Sequence, residues 1–87
     1  MKTIWKYYLD PDGKVDIPKG GEILCVQAQR EMPCIWVLVD SEQEYVERRL
    51  FNVFFTGQKM PENYKGTYIG TCQLDGGRLV VHVFESI

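Results

Sequence analysis

Few residues in this chain of 87 could carry chemistry, and their spacing narrows what they could do. His82 is the single histidine, and Cys25, Cys34 and Cys72 are the only thiols. A nucleophilic site needs a base beside its nucleophile, which makes Cys72 and His82 the pair to test. Both lie in the segment Gly66 to Ile87, which reads as a β-hairpin with Gly76-Gly77 as a two-residue turn. Pairing its arms sets Leu74 opposite Leu79, Cys72 opposite Val81 and Gly70 opposite Val83 on one side. Gln73 then faces Val80, Thr71 faces His82 and Ile69 faces Phe84 on the other. Side chains alternate along a strand, so Cys72 and His82 are expected on opposite faces, and no catalytic residue is predicted.

The remaining chemical motifs fail on their spacing. The cysteine count is odd and no C-x-x-C occurs, so neither a disulfide framework nor a metal site is expected. Asp10-Pro11-Asp12-Gly13 resembles the start of a calcium loop. Its glycine falls at the fourth position where the sixth is needed, and the twelfth residue is Gly21 where a glutamate belongs. A turn explains those four residues better: Pro presets φ, Asp bonds its own backbone and Gly accepts positive φ. No phosphate-binding glycine motif is present, and no cofactor is predicted. Glycosidase-style carboxylate pairs meet only in space, and the carboxylates here fall mostly in turns.

One segment has the composition of a ligand loop. Phe54-Phe55-Thr56-Gly57-Gln58-Lys59 leads from aromatics to a hydroxyl, an open backbone, an amide and an ammonium. Such a loop could hold an anionic or planar ligand, with Arg49, Thr56, Gly57 and Lys59 on the anion and an aromatic stacked on its plane. The aromatics Trp5, Tyr7, Tyr8, Trp36, Tyr45, Tyr64 and Tyr68 exceed what one small core needs. Tyrosine and tryptophan suit surfaces with one apolar and one wet end. The candidate binding residues are therefore Tyr8, Arg49, Phe55, Thr56, Gly57, Lys59 and Tyr64.

The elements that must position them are strands. Trp5, Tyr7 and Leu9 alternate with Lys6 and Tyr8, and after Asp10–Gly13 the chain returns from Lys14 to Ile17, which predicts a first hairpin. Ile23 to Gln29 alternates with Leu24, Val26 and Ala28 on one face. Arg30 to Pro33 turns the chain into the apolar run Cys34 to Val39, a central strand buried on both sides. A four-residue loop there sets Gln29 opposite Cys34, Val26 opposite Val37 and Cys25 opposite Leu38. That register keeps Cys25 and Cys34 beyond disulfide reach. Ser41-x-x-Glu44 fits a capping box, so at most one short helical turn is expected near 41–48. A strand follows from about Glu47 to Thr56, then a loop from Gly57 to Lys65. The whole predicts one all-β domain over 1–87, with about seven mainly antiparallel strands in hairpin order, forming a small sandwich or barrel.

Bulk composition removes other classes. A net charge of −2 with scattered lysine and arginine makes nucleic acid an unexpected partner. No apolar run approaches the ~20 residues of a membrane-spanning helix. The charged, aromatic opening Met1 to Lys6 does not read as a signal peptide. The expected compartment is the cytoplasm. A sheet this small has edge strands that invite pairing, and a homodimer is one expected assembly.

A resemblance adds a label. Lys2-Thr3-Ile4-Trp5-Lys6-Tyr7, Pro18 and Gly20 before Ile23-Leu24-x-Val26-Gln27, Pro33-Cys34-x-Trp36-x-Leu38-Val39, Thr56-Gly57, Tyr68-Ile69-Gly70-Thr71-x-Gln73 and Gly76-Gly77-x-Leu79-Val80-x-His82-Val83-Phe84 resemble a family of short uncharacterised proteins of tailed bacteriophages and prophages. The resemblance spans nearly the whole chain and brings no activity with it. It implies a bacterial host cytoplasm and a small non-enzymatic binding module acting stoichiometrically on a host or phage protein, for example as a counter-defence inhibitor. Sequestration of a nucleotide-like immune signal is the alternative, and an enzyme is the reading with least support.

Overall fold

The alternating segments become seven strands in a computed structural model describing Met1–Ile87. They are β1 (Lys2–Tyr8), β2 (Lys14–Pro18), β3 (Glu22–Gln29), β4 (Met32–Asp40), β5 (Val46–Phe55), β6 (Gly66–Leu74) and β7 (Leu79–Ser86). All pairings are antiparallel, in a three-stranded sheet ordered β1-β4-β3 and a four-stranded sheet ordered β2-β5-β7-β6. The fold is all-β, and its only helical piece is a 3-10 turn at Asp75–Gly77. No helix is long and apolar enough to cross a membrane.

The alternation decides what lies between the sheets. Val15 and Ile17 of β2, Val26 of β3, Ile35, Val37 and Val39 of β4, Phe51 of β5 and Val83 of β7 are buried together with Leu9. Cys72, Leu74 and Val81 form a second buried cluster, joined to the first through Val53. Burying each large apolar side chain contributes about 1.5–3 kcal/mol, and these contacts hold the two sheets face to face. The free edges of β3 and β6 also meet. A Cβ on Gly70 would stand 2.7 Å from Val26 Cγ1, so only glycine allows β6 to approach β3 that closely.

The predicted first hairpin does not form: β1 pairs with β4 and β2 with β5. Asp10–Gly13 is a turn, but it carries the chain from one sheet to the other. Gly13 donates to the Asp10 carbonyl at 2.9 Å, and its own carbonyl accepts from Phe51 N–H at 2.8 Å. Its φ is +70°, and a Cβ there would lie 2.0 Å from the Phe51 carbonyl oxygen. Turn residues thus identified the bend without revealing which strands it connects.

The β3–β4 hairpin is shifted from the expected register. Its loop has two residues, Arg30 and Glu31, with φ of +52° and +61°. Positive φ at both positions suits a tight hairpin, although neither residue is the usual Gly or Asn. Gln29 therefore faces Met32, Gln27 faces Cys34 and Cys25 faces Trp36. A bulge between Ile23 and Cys25 turns Leu24 outward, so Leu24 does not share the buried face of Val26. Cys25 and Cys34 remain free thiols.

The closing hairpin keeps its predicted pairing from Gly70↔Val83 to Leu74↔Leu79, including Thr71↔His82. A bulge then sets Tyr68, not Ile69, opposite Phe84. The turn uses four residues, not two: Arg78 N–H bonds the Asp75 carbonyl, and Asp75 has a φ of +50°. Glu31 steadies it by accepting from Asp75 N–H at 2.6 Å, which ties the two hairpin tips together. The stretch Ser41–Tyr45 has no helix. Asp40 Oδ1 accepts from Glu42 N–H and Ser41 Oγ donates to the Met1 carbonyl.

Candidate functional site

Two concave features stand out, one on the outside of the four-stranded sheet and one at an open end of the sandwich. The outer groove, of about 380 Å³, begins where β5 runs into the Gly57–Lys65 loop. The even-numbered residues of β5 and β7 point away from the core, so Phe54, His82 and Phe84 share this face with Tyr68 and Thr71 of β6. Phe54 and Phe84 meet edge to face at 5.8 Å, and Tyr64 folds back from the loop onto both, at 5.2 and 5.7 Å. The Tyr64 hydroxyl donates to Asn52 Oδ1 at 2.7 Å, and burial pushes its phenol above the usual value.

A line of hydrogen bonds crosses this groove. Tyr68 OH meets Thr71 Oγ1 at 2.6 Å, Thr71 Oγ1 meets His82 Nδ1 at 2.9 Å, and His82 Nε2 meets Thr56 Oγ1 at 2.7 Å. Thr56 Oγ1 then donates to the Val80 carbonyl at 3.4 Å. With Thr56 donating to that carbonyl, Thr56 accepts from Nε2–H and Nδ1 accepts from Thr71; with the other tautomer the Thr56 hydroxyl donates to Nε2. Both ring nitrogens are occupied by hydroxyls. A carboxylate that could orient the ring as a base is not among its partners.

The second feature is an open, mainly apolar cavity of about 510 Å³ between the sheets. Buried Leu9, Phe51, Leu74 and Val81 form its depth. Phe55 (47% exposed) and Leu79 (38% exposed) stand at its mouth beside Asp10 and Asp12. Neither carboxylate is engaged in an ion pair. The volume lies in the range of small-ligand pockets.

The residues expected to bind together are divided among several places. Phe55, Thr56 and Gly57 do line the outer groove, and Phe55 also reaches the cavity mouth. Lys59 is exposed in the adjoining loop, and Tyr64 covers the aromatic end of the same face. Arg49 lies near the start of β5, at the end away from Thr56. Its Nε and Nη2 bond the two oxygens of Glu85, and its Nη1 bonds the Gly21 carbonyl. The Glu85 carboxylate holds this guanidinium above its usual pKa, so Arg49 is committed to the fold and is not an anion contact. Tyr8 belongs to β1 in the other sheet, beneath the Lys6 ammonium at 4.7 Å from the ring.

The histidine line and the cavity were both missed from the sequence. Only the Thr71–His82 pairing had a local signal. The cavity is assembled from Leu9–Asp12, Met32–Pro33, Phe51–Phe55, Leu74, and Leu79 with Val81, and no single segment announces it.

The thiols are poorly placed for chemistry. Cys72 is buried between the sheets with Leu74 and Val81, while His82 is on the outer face, as alternation requires. Burial raises the pKa of Cys34 and Cys72, which disfavours thiolate. No group of three His, Cys, Asp or Glu side chains could hold a metal ion.

Neither a curated protein nor a solved structure matches this chain. One family model does match, over residues 1–87, and its description is "Domain of unknown function (DUF7352)". This all-β sandwich, with its hydroxyl–imidazole groove and its open apolar end, belongs to that family.

Proposed function

We propose that the domain is a non-catalytic binding module that captures a host or phage protein stoichiometrically through the open end of the sandwich. The observation that carries this reading is the apolar cavity with Phe55 and Leu79 exposed at its mouth and beside them the carboxylates Asp10 and Asp12, which make no ion pair. An apolar side chain of the partner would fill it, with a neighbouring lysine or arginine reaching the carboxylates. Anchors of that kind supply most of the energy in protein interfaces. The resemblance to short proteins of tailed phages supports a phage origin, a bacterial cytoplasmic setting and a counter-defence role.

Selection from a random peptide library tests the proposal. The expected winners carry a large apolar residue next to Lys or Arg. Phe55→Asp, or Leu79→Asp, is expected to weaken them about tenfold or more. Winners without that pattern, or indifferent to both substitutions, would overturn it.

The outer groove supports a second reading, sequestration of a nucleotide-like small molecule. It offers aromatic faces beside the Thr56–His82–Thr71 line. Its weakness is charge, because Arg49 is engaged elsewhere and Lys59 is the only cation next to the groove in the chain. A thermal-shift series with nucleotides separates the two readings, since this one requires stabilisation that Thr71→Val reduces.

A further inference from the structure

The two sheets have four edge strands, and three are protected. The edges of β3 and β6 face each other across Val26 and Gly70, and each carries a bulge. β2 has only five residues and ends in Pro18, which has no N–H to offer. β1 has seven residues in unbroken register with β4. Charged side chains commonly guard such an edge. Here only Lys2, at the start of the strand, is a free charge, because the Lys6 ammonium is held between Tyr8 Oη and, across β4, Gln29 Oε1 on β3.

The open groups on this edge follow from the bonds at its ends. Ser41 N–H donates to the Met1 carbonyl at 2.9 Å, and Leu9 N–H donates to the Pro33 carbonyl at 3.0 Å. In an antiparallel ladder alternate residues turn both backbone groups to one side. The odd positions of β1 therefore face β4. Lys2, Ile4, Lys6 and Tyr8 direct their N–H and C=O groups off the sheet.

We propose that β1 pairs with β1 of a second copy of this chain, antiparallel about a two-fold axis at Trp5. Only that register uses all four outward residues. It sets Lys2 against the second copy's Tyr8, and Ile4 against its Lys6, giving about eight inter-chain hydrogen bonds. A shift of two residues in one direction brings Lys6 against Lys6; in the other it leaves Tyr8 unpaired. Shifts of one residue oppose an outward residue to an inward one. At the axis the two Trp5 side chains meet in a non-hydrogen-bonded pair, the closest side-chain approach in a sheet. Trp5 is 41% exposed and Ile4 54% exposed in the single chain. The result is one continuous six-stranded sheet. Two open cavities then lie at opposite ends of the junction, their Leu9 residues about 26 Å apart along the strands at ~3.3 Å per residue. The pairing stands independently of what the cavities capture.

Sedimentation over a concentration series, combined with oxidative cross-linking, tests this. The wild-type chain is expected to shift from monomer to dimer as concentration rises. Trp5→Lys, which opposes like charges at the axis, is expected to stay monomeric while keeping the β-sheet circular-dichroism spectrum of the wild type. In a Cys25→Ser background, Trp5→Cys should form an intermolecular disulfide, since Cα atoms of such a pair sit about 4.5 Å apart. Thr3→Cys should not, because its counterpart is then four residues away from the matching position. A wild-type chain that stays monomeric at millimolar concentration overturns the proposal. So does a Thr3→Cys cross-link as efficient as that at Trp5. If Trp5→Lys fails to fold, the two cysteine variants decide the question.

Discussion

Arg49 and Glu85, 36 positions apart in the chain, join β5 to β7 through two hydrogen bonds on the two oxygens of one carboxylate. Their side chains are only 18% and 20% exposed, and a third bond ties Arg49 to the Gly21 carbonyl. The pair lies toward the start of β5, while Phe55, at the other end of that strand, stands at the open mouth. Removing one member leaves a half-buried charge without its partner. Arg49→Ala is expected to destabilise the fold by about 1–3 kcal/mol, measured by urea unfolding. Adding Glu85→Ala should cost less than the sum of the two single changes.

The hydroxyl line around His82 gives a prediction for which ring nitrogen carries the proton. A neutral ring should be the Nε2–H tautomer, because Thr56 must accept if it is to donate to the Val80 carbonyl. Nitrogen-15 long-range spectra report this directly. Thr71→Val removes the partner of Nδ1 and is expected to cost about 1 kcal/mol.

The crossing from β1 to β2 depends on Gly13. Alanine there meets both a left-handed φ of +70° and the Phe51 carbonyl oxygen at 2.0 Å. Gly13→Ala is expected to lose more than about 2 kcal/mol. Gly57 has a φ of +86° with nothing within 4 Å of a built Cβ, so Gly57→Ala should cost only about 1 kcal/mol. Thermal unfolding of both variants compares backbone conformation with steric closure.

Asp16 pairs with Arg48 across β2 and β5 at 2.9 Å, which lowers the Asp16 pKa below 3.8. A lowered folded-state value means the unfolded chain takes up the proton first as acid is added. The pair's contribution is therefore present above pH 3.8 and fades as pH falls through the lower folded value. The stability gap between wild type and Arg48→Ala should be constant near neutrality and close in acid. Both side chains are well exposed, so added salt should shrink the gap as well.

Much of the fold was legible because it is written locally. Alternation marks most of the strands and a continuous apolar run marks β4, and the closing hairpin discloses its register because its turn residues, Asp75 to Arg78, fix where the two arms meet. The same pattern placed Cys72 and His82 on opposite faces. What failed depended on distant partners. Asp10–Gly13 has turn chemistry whether the next strand returns beside β1 or crosses to the other sheet. Arg30 and Glu31 hold positive φ without glycine, a conformation the Glu31 contact to Asp75 helps to brace. Arg49 read as an anion contact because Glu85 lies 36 residues away. The cavity was invisible for the same reason, since five separate segments build it.

The open end of the sandwich is proposed to receive an apolar group beside a cation. Titrating nitrogen-15-labelled protein with hexylammonium chloride tests it most directly, because that probe has an apolar tail and a cationic head. Saturable amide shifts are expected at Leu9, Asp10, Asp12, Phe55, Leu74 and Leu79, and should be lost in Phe55→Asp. Shifts centred on Thr71 and His82, or none that saturate, would contradict it.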